Sequence, residues 1–145
     1  MHRARPSLIG RWRRLSAARR LLLAEAVAAL AAASAAIRWL PFKRAIRLGS
    51  RRLSGAPERP AADLAEIRWS IEAAARAAPW RAVCFQQGLA LQWMARRRGV
   101  DAQLHYGIGK DENGELLAHV WVADGEAIII GGEGAEQVRR VATYP

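Results

Sequence analysis

The sequence predicts an α+β fold, in which a helical N-terminal part precedes a cysteine-bearing helix packed on a small antiparallel sheet. Two observations predict this fold. Up to Gly99 the apolar residues recur at helical spacing, whereas from Ala102 onward they alternate with a period of two. The only cysteine, Cys84, falls at the start of the last predicted helix before the sheet. At 145 residues and 52% hydrophobic content, the chain is long enough for one domain with a core and too short for two ordinary domains.

Positive charge is concentrated in the first sixty residues, which hold 14 Lys or Arg and two Glu, whereas the rest holds 9 basic and 11 acidic residues. This asymmetry suggests contact with an anionic partner, either lipid head groups, an acidic protein or nucleic acid, and a solvated basic face is the alternative. Nucleic acid is the least supported partner, because no recognised binding module is present. A single cysteine excludes an internal disulfide and fits a reducing compartment. We therefore expect a cytoplasmic protein, with association with an anionic membrane surface left open.

The first long helix is predicted to follow a basic lead-in, residues 1–14. Ser16 is its predicted N-cap and Pro41 stops it. Its middle, residues 21–37, is apolar apart from Glu25 and Ser34. A secretory signal or a transmembrane span has a similar pattern. Because Glu25 interrupts the apolar run, we prefer a long core helix whose preceding arginines could rest on a membrane surface.

The predicted organisation has three parts that form one folded unit overall. Residues 1–53 are a basic helical part that includes a short amphipathic piece after Pro41. Residues 54–62 are a linker rich in Pro and Gly. Residues 63–145 are the core, which opens with a helix capped by Asp63 and ending before Pro79.

Cys84 lies in the first turn of a helix predicted from about Ala82 to Gly99, a C-cap residue. The unpaired N–H groups and the positive end of the helix dipole at such a position favour a thiolate, which a nucleophilic cysteine requires. A small buried hydrophobe is the alternative interpretation of a lone cysteine.

Three strands are predicted after this helix, over residues 102–109, 116–123 and 126–130. Asn113-Gly114 and Asp124-Gly125 are the predicted turns between them. The segment GGEG and a short basic tail then end the chain. No Cys/His pair has metal-ligand spacing, and neither a Gly-rich phosphate loop nor a dinucleotide fingerprint is present, so neither a metal nor a cofactor is implied.

The order of a cysteine at a helix start and a histidine on the second strand of an antiparallel sheet resembles that of papain-like and transglutaminase-like enzymes. AHVWV, residues 118–122, is close to the histidine-strand signature of that superfamily. More narrowly, the chain resembles the standalone leader peptidase of lasso-peptide biosynthesis. The matching segments cover most of the chain and are RRLLLAEAV, WLPF, PWRAVCFQQGLALQWMARRRGVDAQLHYGIGK, LLAHVWVADGE, IIIGGEG and VATYP.

The resemblance implies that Cys84 is the nucleophile and that His119 is the general base, which later protonates the leaving amine. His105 is the competing base. It lies outside the AHVWV match, and we interpret it as a polar residue on the solvated face of a strand.

The third catalytic member departs from the family pattern. The family's orienting aspartate is expected about a dozen residues after the histidine, where this chain has glycines. With Asp124-Gly125 as a two-residue turn, His119 pairs with Ile130, and Asp124 and Glu126 lie roughly 10 to 16 Å from it along the ladder. Glu133, just beyond the third strand, is therefore the predicted partner of Nδ1 of His119. A main-chain carbonyl or a water is the alternative.

The resemblance implies a cysteine peptidase that removes the leader from a ribosomally made precursor peptide. It also implies a separate leader-recognition protein, handover to an ATP-using lasso cyclase, and a cut just after a residue pair that includes threonine. Two alternatives stay open: an acyl-transfer enzyme of the same fold, and a non-catalytic transglutaminase-like scaffold protein.

Overall fold

The computed structural model describes residues 8–49 and 63–145. The predicted linker and the end of the amphipathic piece lie outside these residues. The elements in chain order are α1 (Leu8–Arg13), α2 (Ala17–Trp39), α3 (Phe42–Gly49), α4 (Leu64–Ala77), α5 (Cys84–Arg96), β1 (Gln103–Lys110), β2 (Leu116–Asp124), β3 (Ala127–Ile130), α6 (Gly132–Ala135) and β4 (Val138–Tyr144).

The ends of the two long N-terminal helices are those predicted from their capping residues. The Ser16 hydroxyl accepts a hydrogen bond from the Arg19 N–H at 3.3 Å, and the Asp63 carboxylate accepts one from the Ala65 N–H at 3.1 Å. Helix α2 ends at Trp39, just before Pro41. The lead-in was expected to have no helix, but α1 lies within it. The Arg20 side chain holds this turn in place by donating to main-chain oxygens of α1 and the loop after it.

The sheet has four strands in the order β3-β2-β1-β4, and all neighbours are antiparallel. The sequence predicted only three strands and interpreted the last segment as a basic tail. That prediction was wrong, because β4 pairs with β1 along its whole length. Two adjacent arginines, Arg139 and Arg140, interrupt the apolar alternation of this edge strand and conceal it in the sequence.

The pairing of β2 with β3 also differs from the prediction. Asp124 pairs with Ala127, so the turn residues are Gly125 and Glu126, with Gly125 at φ 59°. An irregularity after Val122 then shifts the ladder and places Ile130 opposite Val122 rather than opposite His119. The chain therefore leaves β3 three residues away from His119 along β2.

The core lies on both sides of α5, which packs against α2 and α4 on one side and against the sheet on the other. Gly88 allows the close approach to the sheet, because a Cβ there would lie 3.0 Å from Cγ1 of Val120. This arrangement confirms the predicted fold class, including the cysteine-bearing helix on a small antiparallel sheet. The largest buried side chains of the core include Leu30, Ile67, Ile71, Leu89, Leu91, Met94, Leu104 and Val122.

Within the described ranges, one helix, α2, is long and apolar enough to cross a membrane by length and composition. Its inner face belongs to the core through Ala26, Leu30 and Ala33. Glu25, the charge inside the apolar run, forms an ion pair with Arg98 at the end of α5. Glu25 therefore joins α2 to the segment that follows α5.

Candidate active site

Cys84 is the first residue of α5 and is half-buried. The preceding chain is extended at Val83, so the helix begins abruptly at the cysteine. Two glutamines of the first turn fix this start. The side-chain oxygen of Gln86 accepts from the Val83 N–H at 3.1 Å, and the side-chain amide of Gln87 donates to the Ala82 carbonyl at 2.8 Å. The predicted first-turn position of Cys84 is thus the observed one, at a helix N-terminus whose first N–H groups have no acceptor within the helix.

His119 lies on β2, and one main-chain group fixes its ring. Its Nε2 is 2.6 Å from the carbonyl oxygen of Gly131. Because a carbonyl oxygen can only accept, Nε2 must carry the hydrogen, and in the neutral ring Nδ1 is then the unprotonated nitrogen. The tautomer follows from the partner's chemistry. Nδ1 is therefore the nitrogen of His119 that can accept a proton.

Glycines let the chain after β3 approach the histidine this closely. Gly131 has φ 83°, which favours glycine, and a Cβ there would lie 2.7 Å from the carbonyl oxygen of Val120. A Cβ on Gly134 would lie 2.8 Å from Nε2 of His119. The GGEG segment therefore forms a closely fitting support for the imidazole.

Cys84 and His119 line one cavity of about 250 Å³ between α4, the start of α5 and the turn after β3. Two strand residues of its wall, Val120 and Ile130, are apolar, and α4 contributes two charged residues. The complete lining is Arg68, Glu72, Cys84, Gln87, His119, Val120, Ile130, Gly131, Gly132, Glu133 and Gly134. The two residues predicted to react thus open into the same space.

Glu133 also lines this cavity, and its side chain is exposed. Within residues 8–49 and 63–145, it makes no hydrogen bond with His119. The ring partner lies twelve residues after the histidine, where the family aspartate was expected, but it is the main-chain oxygen of Gly131 and it binds Nε2. This is the carbonyl alternative of the sequence analysis. A part for Glu133 in the reaction stays a prediction.

His105 was interpreted as lying on a solvated strand face, and that interpretation was wrong. It is 4% exposed, and it lies between Trp121 of β2 and Thr143 of β4. Its Nδ1 lies 2.9 Å from the Thr143 hydroxyl, and its ring packs against Trp121 at 5.4 Å between centroids. Burial chiefly, and then the positive charge of Arg140, lower the pKa of His105. His105 does not line the cavity that holds Cys84.

Three further polar residues of the cavity were not predicted. Arg68 and Glu72 lie one turn apart on α4 and form an ion pair at 2.8 Å, and Gln87 is on the first turn of α5. Their i, i+4 spacing is visible in the sequence, but it is typical of any exposed helix face. The position of α4 beside the cysteine is a tertiary feature, so no local pattern could have identified the pair.

No group of three or more His, Cys, Asp or Glu residues that could hold a metal ion occurs in the part of the chain that the structure describes.

Comparison with known proteins was made at three levels. A family model described as "Transglutaminase-like superfamily" matches residues 26–143. Neither the curated proteins nor the solved structures gave a match. The family match begins inside α2 and includes α5, the whole of β2 and most of β4, so it covers both Cys84 and His119. The superfamily includes cysteine peptidases and acyltransferases. The chain therefore belongs to the transglutaminase-like superfamily.

Proposed function

We propose that this protein is a cysteine peptidase that removes the leader from a ribosomally made lasso precursor peptide. One observation carries the proposal: Cys84 at a helix start and His119 in a defined tautomer line the same cavity. The superfamily supports cysteine-dependent acyl chemistry in general. The assignment to lasso leaders rests on the sequence resemblance of the segments around Cys84 and His119.

The reaction uses the two side chains in sequence. Nδ1 of His119 accepts the thiol proton, and Sγ of Cys84 attacks the scissile carbonyl carbon. As the C–N bond breaks, the imidazolium returns that proton to the leaving amine. Water then attacks the thioester, His119 takes a proton from it, and release of the new carboxyl end regenerates the thiol. Throughout, the hydrogen bond from Nε2–H to the carbonyl oxygen of Gly131 keeps the His119 ring in place.

Negative charge on the carbonyl oxygen needs donors during both attacks. The main-chain N–H of Cys84 is one of the first-turn groups that a helix leaves without an acceptor. The side-chain amide of Gln87 lines the cavity and uses one hydrogen on the Ala82 carbonyl, so it has a second to offer. We assign these two groups to the developing oxyanion.

The size of the cavity limits what this chain can recognise. At about 250 Å³ it is at the small end of ligand sites, and it fits a few side chains beside the cut bond rather than a long leader. The Arg68–Glu72 pair would contact those side chains. A small cavity is consistent with a separate protein that binds the leader; that protein and the ATP-using cyclase that takes the trimmed peptide are proposed from the sequence resemblance.

The test is a cleavage assay with the purified full chain, a synthetic precursor peptide and the recognition protein, followed by mass spectrometry. We expect one cut that separates leader from core peptide. Cys84→Ala should abolish it while leaving the circular dichroism spectrum unchanged. His105→Gln is the matched control, because it alters a histidine of the same sheet outside the cavity, and it should keep most of the activity. Unchanged cleavage by Cys84→Ala would disprove the proposal that this protein is a cysteine peptidase.

Acyl transfer uses the same residues and is distinguished by the product. Addition of an amine such as hydroxylamine to the assay traps a thioester as the hydroxamate, and its share should rise with amine concentration in either case. Without added amine, a peptidase yields the free carboxyl end, whereas an acyltransferase yields a new amide or no turnover. Mass spectrometry of the leader fragment separates these outcomes.

A further inference from the structure

The outward face of α2 is apolar over most of its length. The exposed residues between Arg20 and Arg38 carry no charge and no polar side chain. They are Leu21, Ala24, Val27, Ala28, Ala31 and Ala32. With 3.6 residues per turn they fall within one arc about 140° wide. We call these six residues the α2 stripe.

The α2 stripe is not the core side of the helix. Helix α2 packs on α4 and α5 through its other face, which carries the buried residues Ala26, Leu30, Ala33 and Ala36. Leu21 is 73% exposed. A stripe of this kind on a soluble protein marks an interaction site, because exposed apolar surface that is continuous is costly in water.

The two ends of the stripe carry the residues that membrane interfaces favour. Trp12 lies before its beginning and Trp39, 78% exposed, lies at its end. Tryptophan concentrates at the boundary between lipid head groups and acyl chains. Exposed basic residues accompany both tryptophans and are Arg11, Arg13, Arg14, Arg38, Lys43, Arg44 and Arg47. In residues 8–49, nine residues are Lys or Arg and Glu25 is the only acidic one.

We propose that the α2 stripe docks the protein on an anionic lipid bilayer, with α2 lying in the plane of the interface. The apolar arc enters the head-group boundary, and the basic residues at both ends contact anionic lipid heads. The positive charge at both ends of the stripe favours an anionic lipid surface over a second copy of this chain, because two copies would bring their basic ends together. Crossing the bilayer would require α2 to leave α4 and α5 and would expose the Glu25–Arg98 ion pair.

Docking at this face would hold the catalytic helix near the membrane. Phe42, the first residue of α3, stacks on Phe85 with 5.3 Å between ring centroids. Phe85 is the neighbour of Cys84 in α5. The corner between α2 and α3, which carries Trp39, is thus in contact with the first turn of the catalytic helix.

The test is flotation of the full chain with vesicles of phosphatidylcholine alone and of phosphatidylcholine mixed with phosphatidylglycerol. We expect binding to the anionic vesicles that weakens between about 0.05 M and about 0.5 M salt. The double variant Leu21→Glu/Val27→Glu should lower the bound fraction about tenfold or more. Leu116→Glu is the matched control, since Leu116 is 76% exposed in a β-hairpin, and it should bind as the parent does.

Two further variants test the basic residues and the tryptophan separately from the apolar stripe. Arg38→Glu/Lys43→Glu should weaken binding by at least about fivefold per residue, and Trp39→Ser should also weaken it. No binding to anionic vesicles at low salt would overturn the proposal. Equal, salt-insensitive binding to both vesicle types would also overturn it, in favour of insertion. Light scattering that showed a dimer broken by Leu21→Glu/Val27→Glu would assign the stripe to a second copy instead.

Discussion

At the scale of single residues, the main consequence concerns how His119 is held. The Gly131 carbonyl holds the ring through Nε2, the nitrogen opposite to the one predicted to bind Glu133, and it fixes the tautomer. It supplies a dipole, however, and not a full negative charge. An imidazolium formed during attack is therefore stabilised less than in a triad with an ionised third member. Under the proposed function, Cys84 and His119 would therefore work as a dyad whose histidine is supported by the main chain.

Cys84 and His119 should behave as one catalytic unit. We expect His119→Ala to lower cleavage about as far as Cys84→Ala, and the double variant to be no worse than either, because members of a unit are not additive. A second measurement needs no substrate. Iodoacetamide should alkylate Cys84 more slowly in His119→Ala than in the parent. Equal alkylation rates would mean that Nδ1 does not reach the thiol.

Glu133 can act only through its charge, since it lines the cavity without a hydrogen bond to the ring. We expect Glu133→Gln to lower kcat by roughly tenfold or less, as an exposed charge is well screened by water. Asp124→Asn is the control, because Asp124 lies in the turn region at the far end of β2 and should leave kcat unchanged. A fall as large as that of His119→Ala would make Glu133 a full third member.

At the scale of elements, the sequence predicted those features that local chemistry determines. Ser16, Asp63 and Pro41 mark helix ends because caps and proline act on their own backbone. Cys84 was predicted in the first turn of a helix from about Ala82, and the observed helix begins two residues later, where Gln86 and Gln87 bind the preceding main chain. The register of β3 beside His119 on β2 was not predictable in this way. It depends on an irregularity after Val122 and on Gly125, instead of Asp124, opening the turn. These are tertiary choices that a period of two does not encode.

The burial of His105 has the same origin. The residue became buried through β4, an edge strand that two arginines conceal, and not through anything within β1. A strand face can be assigned to solvent only when every neighbour of the strand is known. The fold class was therefore predictable while one of its four strands was not.

The short element α6 should be the most sensitive part of the site. Gly134→Ala places a methyl group 2.8 Å from Nε2 of His119, so either the ring or the segment must move. We expect kcat to fall about a hundredfold with KM little changed, because a small displacement of a catalytic group is costly. Gly132→Ala is the matched control, as its Cβ would be 3.4 Å from Ile128, an ordinary contact. Equal activities of the two variants would contradict the support role.

The pairing of β1 with β4 should be pH-sensitive through His105. Its pKa is lowered by burial and by Arg140, so the unfolded chain binds a proton more readily than the folded one. The stability from neutral His105 is complete above about 6.5, the ordinary pKa of histidine, and is lost as the pH falls through the lower folded value. We expect Tm to fall less in His105→Gln than in the parent between about pH 7 and about pH 5. A parallel decline would show that His105 is not the group responsible.

At the scale of the whole molecule, ion pairs join α2 to other parts of the chain at two places in the described residues, and the two places differ in kind. Glu25 pairs with Arg98, with both side chains mostly buried, and Arg97 lies 3.5 Å away. Arg19 pairs with Glu66 of α4 at the surface. The first pair joins the proposed membrane-facing helix to the segment just after α5, the helix that begins with Cys84. The second is exposed and screened by water.

Removing the charge of Glu25 should show how much the buried pair contributes to stability. Glu25→Gln leaves Arg98 without its carboxylate, and we expect the free energy of unfolding at pH 7 to fall by about 1 to 3 kcal/mol. Glu66→Gln, the matched control, should change this free energy little.

The contribution of Glu25 should also depend on pH. The hydrogen bond from Arg98 lowers the pKa of Glu25, even though burial opposes this shift. The stabilising contribution is therefore complete above the ordinary carboxyl pKa of about 4.3 and is lost as the pH falls through the lower folded value. Urea unfolding measured stepwise from about pH 6 to about pH 3 should show the parent and Glu25→Gln curves converging in acid. A constant difference at every pH would show that the glutamine acts through packing alone.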